Sequence, residues 1–155
     1  MSRPDGPEPL GAQAAPHDVE VRVPATGDAA ATVRAVAADL AARAEFTLDA
    51  VADLRLAVDE VCASLADLAE PATRLTCSFS VETEQITVTV SVSTTHGTEP
   101  LTATFGWRIL RTLTEDLRVL GEVPGSTGAA RRVAVRFSVP RTATDTEAAD
   151  AVDRA

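Results

Sequence analysis

The sequence predicts an α+β protein, a two-layer α/β sandwich whose mixed, mostly antiparallel sheet is covered by helices on one face. Three observations predict it. Strand-like runs alternate valine with hydroxyl or charged residues, which gives each strand one apolar and one polar face. Two long stretches near the start carry apolar residues at helical spacing instead. At 155 residues the chain has room for one well-buried core.

The first run, "VEVRV", sets Val19, Val21 and Val23 against Glu20 and Arg22, a strand buried on one side. "GDAAATVRAVAADLAARA" then places Val33, Val36, Ala37, Leu40 and Ala44 on one helical stripe, with Thr26 or Asp28 as the cap. A longer helix follows in "TLDAVADLRLAVDEVCASLADLA", whose Val51, Leu54, Val58, Val61, Leu65 and Leu68 repeat every three or four residues until Pro71. "RLTCSFSVE" and "ITVTVSVS" alternate as strands, and the short "TEQ" between them has hairpin length. A loop leads to a helix, "FGWRILRTLTEDL", then to a strand through "LRVLGEV", a Gly-rich turn and a last strand, "RRVAVRFSV". On the polar sheet face Arg132 and Arg136 either pair with Glu20 or stay solvated. The domain therefore spans residues 18–140. Residues 1–17, rich in Pro, Gly and Ala, read as a disordered leader that includes His17, and 141–155 as a polar tail.

Composition excludes several functions. All 14 basic residues are arginine and the net charge is -9, so the Walker lysine is missing and direct nucleic-acid binding is disfavoured. A protein partner fits better, and the acidic balance suits a basic one. Aromatic residues make up only 3% of the chain, so the core rests on Val, Leu and Ala. Cys62 and Cys77 lie in apolar runs and read as reduced core thiols. With neither a signal segment nor an apolar run of membrane length, the protein is expected in the cytoplasm, off the membrane.

The second helix raises the functional question. Beside its apolar stripe, Asp53, Leu56, Glu60, Ser64 and Asp67 share another face, and Glu60 and Ser64, four apart, are neighbours on it. Asp59 points elsewhere, near Arg55. Periodicity alone is satisfied by a solvated glutamate, although Leu56 suggests that something covers this face.

"DAVADLRLAVDEVCASL", together with "FGWRILRTL", resembles the anti-sigma factors related to serine kinases in the GHKL group of ATP-binding proteins, most of all the actinobacterial anti-sigma-F type. The likeness covers roughly residues 18 to 140. It implies a Bergerat-type sandwich, a homodimer, and a protein that holds a sigma factor until an anti-anti-sigma partner of the STAS type replaces it. In kinase members a glutamate at the place of Glu60 activates the partner's serine, which makes Glu60 the candidate general base. The asparagine that helps hold Mg²⁺ is replaced by Ser64, which reaches the metal only weakly, through water. At the adenine-binding strand end no acid occurs between Gln85 and Thr98, leaving Ser93, Thr94 or Thr95 as an acceptor, with Thr94 assigned to the site, and Gly97 for the turn. Of the glycine lid Gly106 persists, while Thr104 stands where a second glycine is expected, and the helix start remains favourable for phosphate. These departures imply that ATP and Mg²⁺ binding is weak or lost. Phe105 and Trp107 read as core or dimer-contact aromatics. Arg34, set among Ala30, Ala38 and Ala41, matches an arginine that relatives use to engage partners.

Overall fold

The structure is a computed structural model that describes residues 17–95, 102, 104–124 and 131–142. Strand β1 (His17–Pro24) leads through a 3₁₀ turn (Gly27–Ala29) into helix α1 (Ala30–Arg43) and then helix α2 (Leu48–Leu68). Strands β2 (Arg74–Val81) and β3 (Gln85–Thr94), helix α3 (Phe105–Leu113), and strands β4 (Glu115–Pro124) and β5 (Arg131–Pro140) complete the order. The five strands form one sheet in the order β1-β2-β3-β5-β4, and all four neighbouring pairs are antiparallel. The two-layer sandwich expected from the sequence is present, without any parallel pair among the described strands.

The strand alternation produces two unlike sheet faces. Leu75, Cys77 and Phe79 of β2, Ile86, Val88, Val90 and Val92 of β3, and Val133, Val135, Phe137 and Val139 of β5 are all buried on the helix-covered side. Each such side chain contributes about 1.5–3 kcal/mol on leaving water. On the opposite face Thr87 and Ser138, adjacent across β3 and β5, satisfy each other at 3.0 Å, and Arg132 donates to Ser91 at 2.9 Å. Glu20 is held by Arg22 of its own strand at 2.8 Å, so it is not the partner of Arg132 or Arg136.

Helices α1 and α2 form an antiparallel hairpin whose buried residues keep step with the turn. Ala41, Ala37, Val33 and Ala30 recede from it along α1 at the spacing with which Ala50, Leu54, Val58 and Val61 advance along α2. Alanine on the α1 side lets the two backbones approach closely, and the larger residues of α2 fill the space against the sheet. The α1 stripe is consequently turned from its expected centre: Val36, Leu40 and Ala44 are only half-buried. Neither Thr26 nor Asp28 gives α1 a side-chain cap, because the 3₁₀ turn intervenes.

At the far end of α1, Phe46 N–H donates to Ala41 O at 3.0 Å and Glu45 N–H to Ala42 O at 3.1 Å, a Schellman cap with buried Phe46 as its apolar contact. This cap puts Glu45 at φ 60°, where glycine is favoured. Helix α2 then starts on Thr47, whose hydroxyl accepts from Ala50 N–H at 3.2 Å. Thr47 N–H is tied to Arg141 O at 3.1 Å, and Arg141 N–H to Glu84 O at 2.8 Å, so the ordered domain runs into the expected tail. His17, expected in the leader, instead pairs with Val81 as the first residue of β1.

Helix α3 is shorter than expected. Thr114 leaves the helix in extended conformation, its hydroxyl donating to Leu110 O at 2.6 Å. Asp116 then takes φ 51° where the register of β4 shifts, so Glu115, Asp116 and Leu117 belong to a bulged strand. Cys62 and Cys77 are buried between α2 and β2 as free thiols. The hydrogen bond with Cys77, reinforced by burial, pushes the Cys62 thiol well up.

Glu45→Gly removes the cost of a left-handed glutamate at the α1 cap. It is expected to stabilise the protein by roughly 1 kcal/mol in urea unfolding.

Candidate functional site at the α2–α3 seam

The flanks of α2 that do not face the sheet divide the polar residues of the helix among different neighbours. One flank meets α1, the opposite flank meets α3, and a ridge between them faces solvent. Asp59 and Glu60, adjacent in sequence, are separated by about 100° around the helix and so fall on different flanks.

Toward α3, Glu60 and Ser64 are both half-buried, and Ser64 Oγ donates to Glu60 Oε1 at 3.4 Å, a long bond. The Glu60 carboxylate lies directly against Gly106, so that a Cβ on Gly106 would coincide with it. Thr104 caps α3, its hydroxyl accepting from Trp107 N–H at 3.2 Å. A carboxylate beside the first turn of a helix also interacts favourably with its dipole. The seam is anchored below by Leu110 and Trp107, both buried. The Trp107 indole N–H has no acceptor among the described residues.

Chemically, this gives one carboxylate and one hydroxyl facing the start of a helix. Such a set suits a proton-accepting role for Glu60. Among the described residues no group of three or more His, Cys, Asp or Glu is placed to hold a metal. A hard cation here would take Glu60 and draw its remaining oxygens from a phosphate and water, a mode that Mg²⁺ accepts.

Toward α1, Arg34 Nη1 donates to Asp59 Oδ1 at 2.8 Å. Both side chains are partly exposed, which limits the pair to about 1 kcal/mol or less. The expected neighbour of Asp59, Arg55, is therefore not its partner. The contact was legible in principle: Arg34 and Asp59 directly follow Val33 and Val58, which stand opposite one another when the hairpin is counted from its turn.

The other expected residues distribute as follows. Ala30 is buried in the core at 5% exposure and cannot contribute to a partner surface, because it faces the sheet side of the hairpin. Ala38, one turn beyond Arg34, is half-buried. Thr94 is fully buried at the end of β3, on the face that the helices cover. Glu60, Ser64, Thr104 and Gly106 come together at the seam, whereas Gly97 lies outside the described residues. Leu56, taken as a sign of a covering element, is 58% exposed. Asp53 is half-buried nearby, and its carboxyl is pushed up by burial and then by Asp49 one turn away.

The antiparallel sheet roofed by helices, with a carboxylate facing a glycine at a helix start, defines an ATPase-like sandwich. Residues 23–127 match the family model for the histidine kinase-like ATPase domain. The anti-sigma-F factors RsbW of two Mycobacterium tuberculosis strains, CDC 1551 / Oshkosh and ATCC 25618 / H37Rv, are each 32% identical to the chain over 125 residues, covering 75% of it and 74% of the relative. The chain thus belongs to the histidine kinase-like ATPase family, as an RsbW-like anti-sigma factor. No helix among the described residues is long and apolar enough to cross a membrane.

Gly106→Ala should be costly or neutral in the native background, because Glu60 must swing away. Combined with Glu60→Ala it should instead stabilise by about 1 kcal/mol through helix propensity. Chemical unfolding of the four proteins in the cycle measures this coupling.

Proposed function

We propose that this anti-sigma factor acts by sequestration: as a homodimer it binds an alternative sigma factor through its α1–α2 surface and surrenders it to an anti-anti-sigma protein of the STAS type. Arg34 and Ala38 contribute to that surface. Arg34 commits one N–H to Asp59, and a guanidinium has five, so the residue retains donors for a partner's carboxylate or carbonyl groups. The nucleotide site is degenerate, and sequestration does not depend on it. The observation that carries this reading is the Glu60 carboxylate lodged against Gly106 with Ser64 beside it, where kinase relatives require a metal-binding asparagine. The lack of any acid from Ile86 to Gly97 supports the same conclusion for adenine.

A second reading, an ATP-dependent protein-serine kinase acting on the anti-anti-sigma factor, is favoured by one feature. Glu60 is retained, half-buried and held at the seam, as a general base must be. In that case Ser64 would meet Mg²⁺ through water, and Thr94, Thr104, Gly106 and Gly97 would border the nucleotide.

The two readings separate in one set of measurements. Under sequestration, the chain co-elutes with an alternative sigma factor of its own organism in nucleotide-free buffer, and millimolar Mg-ATP leaves its melting temperature unchanged. A clear upward shift, with phosphate transfer that Glu60→Gln abolishes, would establish the kinase instead.

A further inference from the structure

Along the ridge of α2 that faces solvent, among exposed acids, runs a row of apolar residues. Leu48, Ala52 and Leu56 recur every four residues and so lie in one row on the side away from the sheet. Leu48 is 88% and Leu56 58% exposed, and Ala52 is exposed as well. Of the four large apolar side chains exposed among the described residues, two are on this row; the others, Ile109 and Leu120, lie singly on α3 and β4. Single exposed leucines are ordinary, but a row in helical register is the pattern by which one helix meets another.

The row borders a shallow concavity of about 370 Å³ lined by Arg34, Ala52, Arg55, Leu56 and Asp59. Its charges are unequal. Arg34 and Asp59 neutralise each other at 2.8 Å, whereas Arg55 is exposed and has no ion pair or hydrogen bond among the described residues. In a chain of net charge -9, this leaves a free cation beside an apolar row. Ala52, between the leucines, is small enough to let another backbone come close.

We propose that Leu48, Ala52 and Leu56, with Arg55 at their edge, dock an amphipathic helix of the bound sigma factor, which presents aliphatic side chains to the row and a carboxylate to Arg55. This inference rests on the sequestration reading and assigns to it an apolar anchor distinct from Arg34. The leucines supply buried area, and Arg55 sets the orientation of the incoming helix by charge.

The test uses the full chain and the alternative sigma factors of its own organism, screened for the one that binds, with affinity measured by calorimetry and oligomeric state by light scattering. The double substitution Leu48→Ser with Leu56→Ser is expected to weaken sigma binding at least tenfold, with the melting temperature and the oligomeric state unchanged. Arg55→Glu should also weaken binding, and more so at low salt. Ala52→Gln, which adds bulk at the centre of the row and leaves both leucines in place, is the second variant should the double one unfold. Native affinity in these variants, with the unmodified chain binding, overturns the docking row and leaves sequestration standing. Failure of the unmodified chain to bind any of these sigma factors overturns sequestration itself, and the row with it. Loss of self-association in the double variant, at unchanged sigma affinity, makes the occupant a second copy of this chain and also overturns the proposal.

Discussion

The structure depends on the burial of one side of α2 against the valine face of the sheet. Leu54, Val58, Val61 and Leu65 of this helix are sealed from water, and so are the residues of β3 and β5 beneath them. Because the opposite sheet face is lined mainly by threonine, serine and arginine, a second helical layer has little apolar surface to bury there. The sandwich therefore has two layers, and the covering helices must share a single apolar floor. Alanine-rich α1 fits beside α2 on that floor because small residues reduce the distance between the helix axes.

Once α2 is seated, its remaining sides are assigned by geometry. A straight helix in contact with a sheet below, α1 on one flank and α3 on the other keeps only its outer ridge in water. Its polar residues then differ in environment although they are adjacent in sequence. Asp59 meets a guanidinium, Glu60 meets a glycine at a helix start, and the ridge between carries two leucines that are exposed among the described residues. A helix that organises the core is thereby also placed to hold a carboxylate against α3 on one flank and to expose two leucines on its crest.

The seam between α2 and α3 sets a carboxylate against a glycine at a helix start. Gly106 still leaves room that a side chain would fill, and Thr104 still caps the helix behind it. What occupies the space is the Glu60 carboxylate, with the Ser64 hydroxyl as its donor. Ser64 does this without disturbing the packing of α2, because the position lies beside the core stripe rather than in it.

By itself the sequence determined the strands, the two long helices and the sidedness of the sheet, since each follows from a period of two or of three to four residues that survives any packing. It also determined that Glu60 and Ser64 are neighbours, because a spacing of four on a helix is local. Only the tertiary structure decided the order β1-β2-β3-β5-β4, the turning of α1 that buries Ala30, the pairing of Arg34 with Asp59, and the seating of Glu60 on Gly106. The last three depend on how far one helix is rotated against another. That angle is set by side-chain volumes across the contact, and the period of either helix taken alone carries no record of it.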